Sequence, residues 1–141
     1  MADQYTKRNT QALLGLNVVY EITTTGTGSG VTVTAGDAIY GDAKDIIAAA
    51  AVLTEFWVCS VLLDTASAAA VFDVRLADAT LTVNFAAVRF DATAATVNTA
   101  PIPIGPFPVR FAGSTQITAV AGDDAGGTKT INVGILYAVG L

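Results

Sequence analysis

Hydrophobic and polar residues alternate along much of the chain with a period of two, which is typical of β-strands. The clearest example is residues 71–76, where apolar side chains at even positions predict a buried face and Asp73 and Arg75 predict a solvent-facing one. Turns rich in Gly, Asp and Ser separate these stretches. The other stretches are residues 16–23, 31–34, 55–63, 81–90, 107–111, 116–120 and 128–139. The pattern predicts an all-β fold of about seven to nine strands, an antiparallel β-sandwich or jelly roll.

Two stretches depart from simple alternation. Residues 55–63 are apolar at odd and even positions, which predicts a strand covered on both faces. One predicted face comprises Trp57, Cys59, Val61 and Leu63, and the other comprises Phe56, Val58 and Leu62. In residues 81–90 the apolar positions change from odd to even at Ala86 and Ala87. This change predicts a β-bulge or a tight bend, because one extra residue reverses the direction of every later side chain.

The connections between strands carry further signals. Residues 44–51 predict at most one short helix, because Asp42 can cap a helix and the four alanines at 48–51 favour one. All four prolines lie within residues 101–108, which predicts an edge position or an extended connection, since proline has no N–H to donate. Residues 25–30 predict a turn, and residues 122–127 predict a hairpin loop.

A chain of 141 residues suits one domain. We expect residues 12–141 to form it and the polar residues 1–11 to form a flexible N-terminal arm. That start has no apolar segment typical of a signal peptide. The most apolar stretch, residues 46–63, is interrupted by Thr54, Glu55 and Ser60, so it is a poor candidate for a membrane span.

Charge is scarce in this sequence. Only 13 % of the residues are charged and 52 % are hydrophobic, whereas an ordinary domain has about 25 % charged residues. A surface with few charges is suited to being covered by another protein. The net charge is −5, and the basic residues form no run except Lys7–Arg8. The chain therefore lacks the clustered cations that nucleic-acid binding requires.

Histidine, the commonest general base, is missing, although enzymes that use carboxylates stay possible in principle. The absence of histidine excludes Ser-His-Asp triads and most zinc sites. Cys59 is the single cysteine, and no base or cation stands near it in the sequence, so we expect a buried, inert thiol. The sequence predicts no enzyme, and no catalytic, cofactor-binding or metal-binding residue.

Four weaker patterns have a functional and a structural interpretation. Asp123–Asp124 could bind calcium through carboxylate oxygens, but a solvated loop explains the pair better. The group Asp37, Asp42 and Asp45 lacks the spacing of an EF-hand. The Gly-rich residues 26–30 lack the Gly-Lys-Ser/Thr ending of a phosphate loop. Five aromatic residues could line a sugar platform, although aromatic residues at strand spacing more often belong to a core. They are Tyr5, Tyr20, Tyr40, Trp57 and Tyr137.

The whole chain resembles the small auxiliary structural proteins of tailed-bacteriophage virions, which decorate or cement the capsid. The resemblance is carried by the polar arm, the Ala/Thr/Gly-rich strands, and the segments 107–113, 116–120 and 130–137. It implies a β-sandwich or jelly roll that stands on the capsid surface, often as a trimer, bound to the major capsid protein or another virion protein. It implies no particular functional residue.

Other classes of function stay open at this point. The main alternative is a carbohydrate- or receptor-binding β-module, such as a fibre tip or an adhesin, and a shell-forming capsid protein of the jelly-roll type is another. The apolar residues around Phe56, Val58 and Leu62 suggest more surface to bury than one domain needs. We therefore expect a homo-oligomer, with a trimer favoured, and neither nucleic acid nor membrane as a partner.

Overall fold

The computed structural model describes residues 19–22, 24–25, 28–80, 84–93, 102–105 and 108–139. The predicted arm, residues 1–11, lies outside these ranges, as does the start of the first predicted strand. Within the ranges the chain is all-β, and no helix is long and apolar enough to cross a membrane. The all-β prediction is therefore confirmed.

The described residues form twelve strand segments, of which three are only two residues long. They are β1 (Val19–Ile22), β2 (Thr24–Thr25), β3 (Gly28–Ser29), β4 (Val31–Asp37), β5 (Lys44–Ile47), β6 (Phe56–Ala66), β7 (Ala70–Asp78), β8 (Asn84–Ala92), β9 (Ile102–Pro103), β10 (Val109–Phe111), β11 (Ile117–Asp123) and β12 (Lys129–Val139). The nine longer strands agree with the predicted number.

One curled sheet contains ten of these strands, and seven of them lie side by side in the order β10-β6-β12-β4-β11-β7-β8. Strand β1 also pairs with β12, β5 with β11, and β9 with β6, whereas β2 and β3 pair only with each other. Every pair is antiparallel except β4–β11, which run parallel over three residues. Phe85 on β8 and Phe111 on β10 lie at opposite ends of the sheet, yet their ring centroids are only 4.9 Å apart. The sheet therefore curls into a half-barrel with one face inside.

The core fills the inner face of this curled sheet. Its largest fully buried side chains are Phe56, Phe72, Leu63, Leu76, Ile117, Ile131, Ile135, Val33, Val58, Val61, Val74 and Val133. Phe56 stacks on Phe111 at 5.6 Å between ring centroids and meets the edge of the Tyr137 ring at 6.0 Å. These contacts pack the rings of β10, β6 and β12 together at one end of the sheet, and the Phe85–Phe111 contact joins that end to β8.

Three sequence predictions are confirmed in detail. Along β7 the even-numbered side chains from Phe72 to Leu76 are buried, and Asp73 and Arg75 are exposed. The register between β7 and β8 shifts at Phe85, next to the predicted change at Ala86, so the bulge is real. Pro103 pairs on the open side of β6, which is an edge position that needs no donated ladder hydrogen bond.

The prediction for the two faces of residues 55–63 is wrong. Cys59 is an extra residue between Val58, which is opposite Tyr137, and Ser60, which is opposite Leu136. This bulge reverses the later side chains, so Val61 and Leu63 join Phe56 and Val58 on the buried inner face. The outward side chains are instead those of Trp57, Cys59 and Leu62, which are half-buried.

Two connections also differ from expectation. Lys44–Ile47 form a strand rather than a helical turn, because this segment pairs with β11 and buries Ile46 and Ile47. Residues 48–51 form a turn closed by a hydrogen bond from the Ala51 N–H to the Ala48 carbonyl. The predicted hairpin at residues 122–127 is a crossing connection instead, because β4 lies between β11 and β12 in the sheet.

Candidate functional site

The outward side of strands β4, β12 and β6 carries little charge. Among the described residues of these strands, Asp64, two residues after Leu62 on β6, is the one charged residue that the alternation places there. Residues that are directly opposite each other on neighbouring strands have side chains on the same side of the sheet. Examples on the outward side are the pairs Thr32–Asn132, Leu62–Gly134 and Trp57–Ala138. We name the following set the uncharged face: Thr32, Thr34, Trp57, Cys59, Leu62, Asn132 and Leu136. Charged residues lie at its border: Asp64 follows Leu62 by two residues on β6, and Arg110 on β10 is opposite Trp57.

The uncharged face mixes half-buried apolar groups with hydrogen-bonding groups. Trp57, Leu62 and Leu136 are half-buried, and Thr32 is exposed. The Thr32 hydroxyl donates to Asn132 Oδ1 at 2.8 Å. Aromatic and aliphatic groups that are free of charge have the composition of an interface core, because they lose little hydration when a partner covers them.

Cys59 lies on this face and is poorly suited to act as a nucleophile. Burial raises the pKa of its thiol, so less thiolate is present at neutral pH. The thiol donates to the Trp57 carbonyl at 3.5 Å. The sequence predicted a buried, inert thiol, whereas the Cys59 side chain is half-buried.

The outward side of the other half of the sheet has a different character. Strands β7 and β8 expose Asp73, Arg75, Arg89 and Asp91 there, two acidic and two basic residues. Asp73 is directly opposite Arg89 in the register. One half of the curled sheet thus presents a charged outer surface, and the other presents the uncharged face with Asp64 and Arg110 at its border.

A groove of about 270 Å³ opens beside this charged surface. Its lining includes Ile39, Tyr40, Val71, Asp73, Arg89 and Asp124. These residues come from the connection after β4, from strands β7 and β8, and from the connection after β11. We name this site the Asp73–Arg89 groove.

The rim of the groove is a short connection that is fixed at both ends on β11. The Ala38 N–H donates to the Asp123 carbonyl, and the Gly41 N–H donates to the Ala121 carbonyl, each at 2.9 Å. The rim lies so close to β11 that a Cβ atom at Gly122 would be 2.8 Å from the Ile39 carbonyl oxygen. Glycine at this position therefore allows the close approach and also leaves the floor of the groove open.

Two side chains of the rim have distinct environments. The Arg75 guanidinium lies over the Tyr40 ring, 4.2 Å from its centroid, which is a cation–π contact. The Ile39 side chain is 70 % exposed, although isoleucine is usually buried. The rim thus presents one oriented aromatic ring and one exposed aliphatic side chain.

The two carboxylates considered as calcium ligands point in different directions. Asp123 is opposite the buried Phe72 and faces inward, where its Oδ1 atom accepts from the Ala125 N–H at 3.0 Å and lies 3.3 Å from Lys129 Nζ. Asp124 Oδ1 instead accepts from the Val71 N–H at 2.9 Å. In the described ranges no three His, Cys, Asp or Glu residues come together in a way that could hold a metal ion.

The aromatic residues proposed for a sugar platform are also separated. Tyr137 belongs to the core, Trp57 to the uncharged face and Tyr40 to the groove. Tyr5 and the side chain of Tyr20 lie outside the described part of the structure. Of the looser acidic group, Asp45 accepts from Gln116 Nε2 at 2.6 Å, which gives it a structural partner.

Comparison with known proteins gave no assignment. No family model matches the chain, and no curated protein sequence matches it.

Proposed function

We propose that this protein is a virion structural protein, a capsid decoration or cement protein that binds the assembled shell and stabilises it. The uncharged face is the observation that supports this proposal. Its partner is the major capsid protein or another virion protein, and its place is the capsid surface. The protein acts by binding rather than by chemistry.

The uncharged face favours such binding for a physical reason. Covering Trp57, Leu62 and Leu136 removes apolar surface from water, at roughly 25 cal/mol for each Å² buried. Thr32 and Asn132 can exchange water for hydrogen bonds to the partner. Because none of the side chains in the uncharged face is ionised, covering them loses little of the gain to charge burial, provided that Asp64 and Arg110 at the border stay in contact with water.

A binding preference becomes shell stability through mass action. When the protein binds the assembled shell better than the dissociated shell subunits, the free energy needed to dissociate the shell rises. This rise grows with the logarithm of the ratio of the free protein concentration to its Kd for the shell. An apolar, hydrogen-bonded contact is only weakly screened by salt, whereas phosphate contacts weaken steeply as salt rises. We also propose that the decorating unit is a homo-oligomer, with a trimer favoured.

Particle stability tests the proposal. Virions are stripped of the protein, and their rupture temperature is measured without it, after it is added back, and again at high salt. We expect stripped particles to rupture at a lower temperature and the added protein to restore the original value at both salt concentrations. Equal rupture temperatures with and without the protein would remove the cement function.

A further inference from the structure

The Asp73–Arg89 groove contains two opposite charges that face each other without pairing. Asp73 and Arg89 are directly opposite on β7 and β8, and both line the groove. Within the part of the chain that the structure describes, neither side chain forms a hydrogen bond or an ion pair. Facing charges on neighbouring strands usually stabilise a sheet by pairing. Here the carboxylate and the guanidinium both remain available to a ligand.

The rigidity of the groove lowers the entropic cost of binding. The rim connection is fixed by two backbone hydrogen bonds to β11, and the Arg75 guanidinium lies over Tyr40. Asp124 is fixed by the hydrogen bond that it accepts from the Val71 N–H. A site whose walls are already ordered loses less freedom when a ligand binds.

The charges of the groove select the class of ligand. Asp73 and Asp124 repel a ligand with net negative charge, and Arg89 with the neighbouring Arg75 repels one with net positive charge, so the site favours a ligand without net charge. That ligand must donate hydrogen bonds to carboxylates and accept them from a guanidinium at the same time. A hydroxyl group does both with one oxygen atom. Neighbouring hydroxyls on a ring can engage a planar carboxylate and a planar guanidinium together.

The apolar part of the groove fits the same class. Val71 and the exposed Ile39 provide an aliphatic surface next to the polar pair. A sugar ring has C–H groups that can cover such a surface while its hydroxyls reach the polar side. A volume of about 270 Å³ holds one ring of this size, at the lower end of ligand pockets.

We propose that the Asp73–Arg89 groove binds a neutral sugar unit, with Asp73 and Arg89 contacting its hydroxyls and Ile39 and Val71 covering its C–H face. This site is separate from the uncharged face, so the protein can bind a shell and a saccharide at once. The sugar can be free or the end of a surface glycan, because the contacts involve one ring only.

Ligand-observed NMR on the full chain tests this proposal. The probes are the methyl glycosides of glucose, galactose, mannose and N-acetylglucosamine, each at millimolar concentration. We expect saturation transfer from the protein to at least one of them. Asp73→Asn and Arg89→Gln should each weaken binding of that glycoside about tenfold or more, because each removes a charge-assisted hydrogen bond.

Matched substitutions outside the groove provide the controls. Asp91→Asn changes an exposed carboxylate on the same strand as Arg89, and Arg110→Gln changes an arginine at the border of the uncharged face. Both should bind the glycoside as wild type does, and thermal unfolding should show all four variants folded. No saturation transfer to any probe, or transfer unchanged by both groove variants, would overturn the proposal. Particle stability in the groove variants distinguishes this result from a failure of the cement function.

Discussion

Replacing Lys129 by methionine should destabilise the fold by removing the cation that neutralises a buried carboxylate. The Asp123 side chain has no exposed surface, Lys129 is only 13 % exposed, and their charged atoms are 3.3 Å apart. In the described structure Asp123 Oδ2 has no hydrogen-bond partner, so Oδ1 carries all the contacts. After the substitution one backbone donor, the Ala125 N–H, would remain for this carboxylate.

The size of the effect follows from the burial of the pair. Removing one partner of a buried ion pair costs about 3–5 kcal/mol of stability, because the remaining charge stays in an environment that solvates it poorly. The residual exposure of Lys129 favours the lower end, so we expect a loss of about 3 kcal/mol. For an m-value of about 2 kcal/mol per molar urea, the unfolding midpoint should fall by about 1.5 M.

Urea unfolding followed by the fluorescence of Trp57, the one tryptophan, measures this change. The control is Arg110→Met, which breaks the exposed pair with Glu55, where the side chains are 68 % and 39 % exposed. That substitution should change the free energy of unfolding by less than about 1 kcal/mol. The double variant Asp123→Leu/Lys129→Met should lose less than the sum of its single variants. A Lys129→Met protein within about 1 kcal/mol of wild type would refute the reasoning.

Three further predictions concern the rim, the ends of the sheet and the thiol. Gly122→Ala should destabilise the protein by about 1–3 kcal/mol in thermal unfolding, because the new Cβ would lie 2.8 Å from the Ile39 carbonyl oxygen; an unchanged Tm would contradict this. Phe111→Ala should lose about 2–4 kcal/mol in urea, because it removes the ring contacts with Phe56 and, across the two ends of the sheet, with Phe85. A loss well below this range would show that other contacts hold the ends together. Cys59 should react with iodoacetamide more slowly than a free cysteine, because its raised pKa keeps the thiol protonated, and the reaction should become faster only at higher pH. Equal reaction rates for Cys59 and free cysteine would contradict this prediction.

The sequence predicted those parts of the fold that depend on local alternation. The pattern around Asp73 and Arg75 identified both faces of β7, and the change of parity near Ala86 located a bulge within one residue. Residues 44–47 were predicted wrongly because capping and alanine content are local preferences, and pairing with the distant β11 overrides them. The bulge at Cys59 depends on the register with β12, which the sequence of β6 alone does not contain.

The groove could be predicted only in part. Asp123 and Asp124 are neighbours in sequence, and alternation in a strand already implies that such neighbours diverge. That rule would have excluded a shared calcium site. Tyr40, Asp73 and Arg89 are far apart in the sequence, and they line one groove only because of the order of the strands in the sheet. That order cannot be read from the sequence pattern. Gly36 and Gly41, at the two ends of the rim, were the available signal, since glycine permits the close backbone approach seen at both positions.

Attachment to stripped particles tests the central proposal most directly, with one charge added to either outer surface of the sheet. Leu62→Glu adds a charge to the uncharged face, and Ala87→Glu adds the same charge to the exposed outer surface of β8. Co-sedimentation measures how much of each protein binds, after circular dichroism has shown that both retain mainly β structure. We predict that Leu62→Glu loses attachment by about tenfold or more, because a buried unpaired charge is strongly unfavourable, and that Ala87→Glu binds as wild type does. Full attachment of Leu62→Glu would contradict the assignment of the uncharged face as the surface that binds the shell.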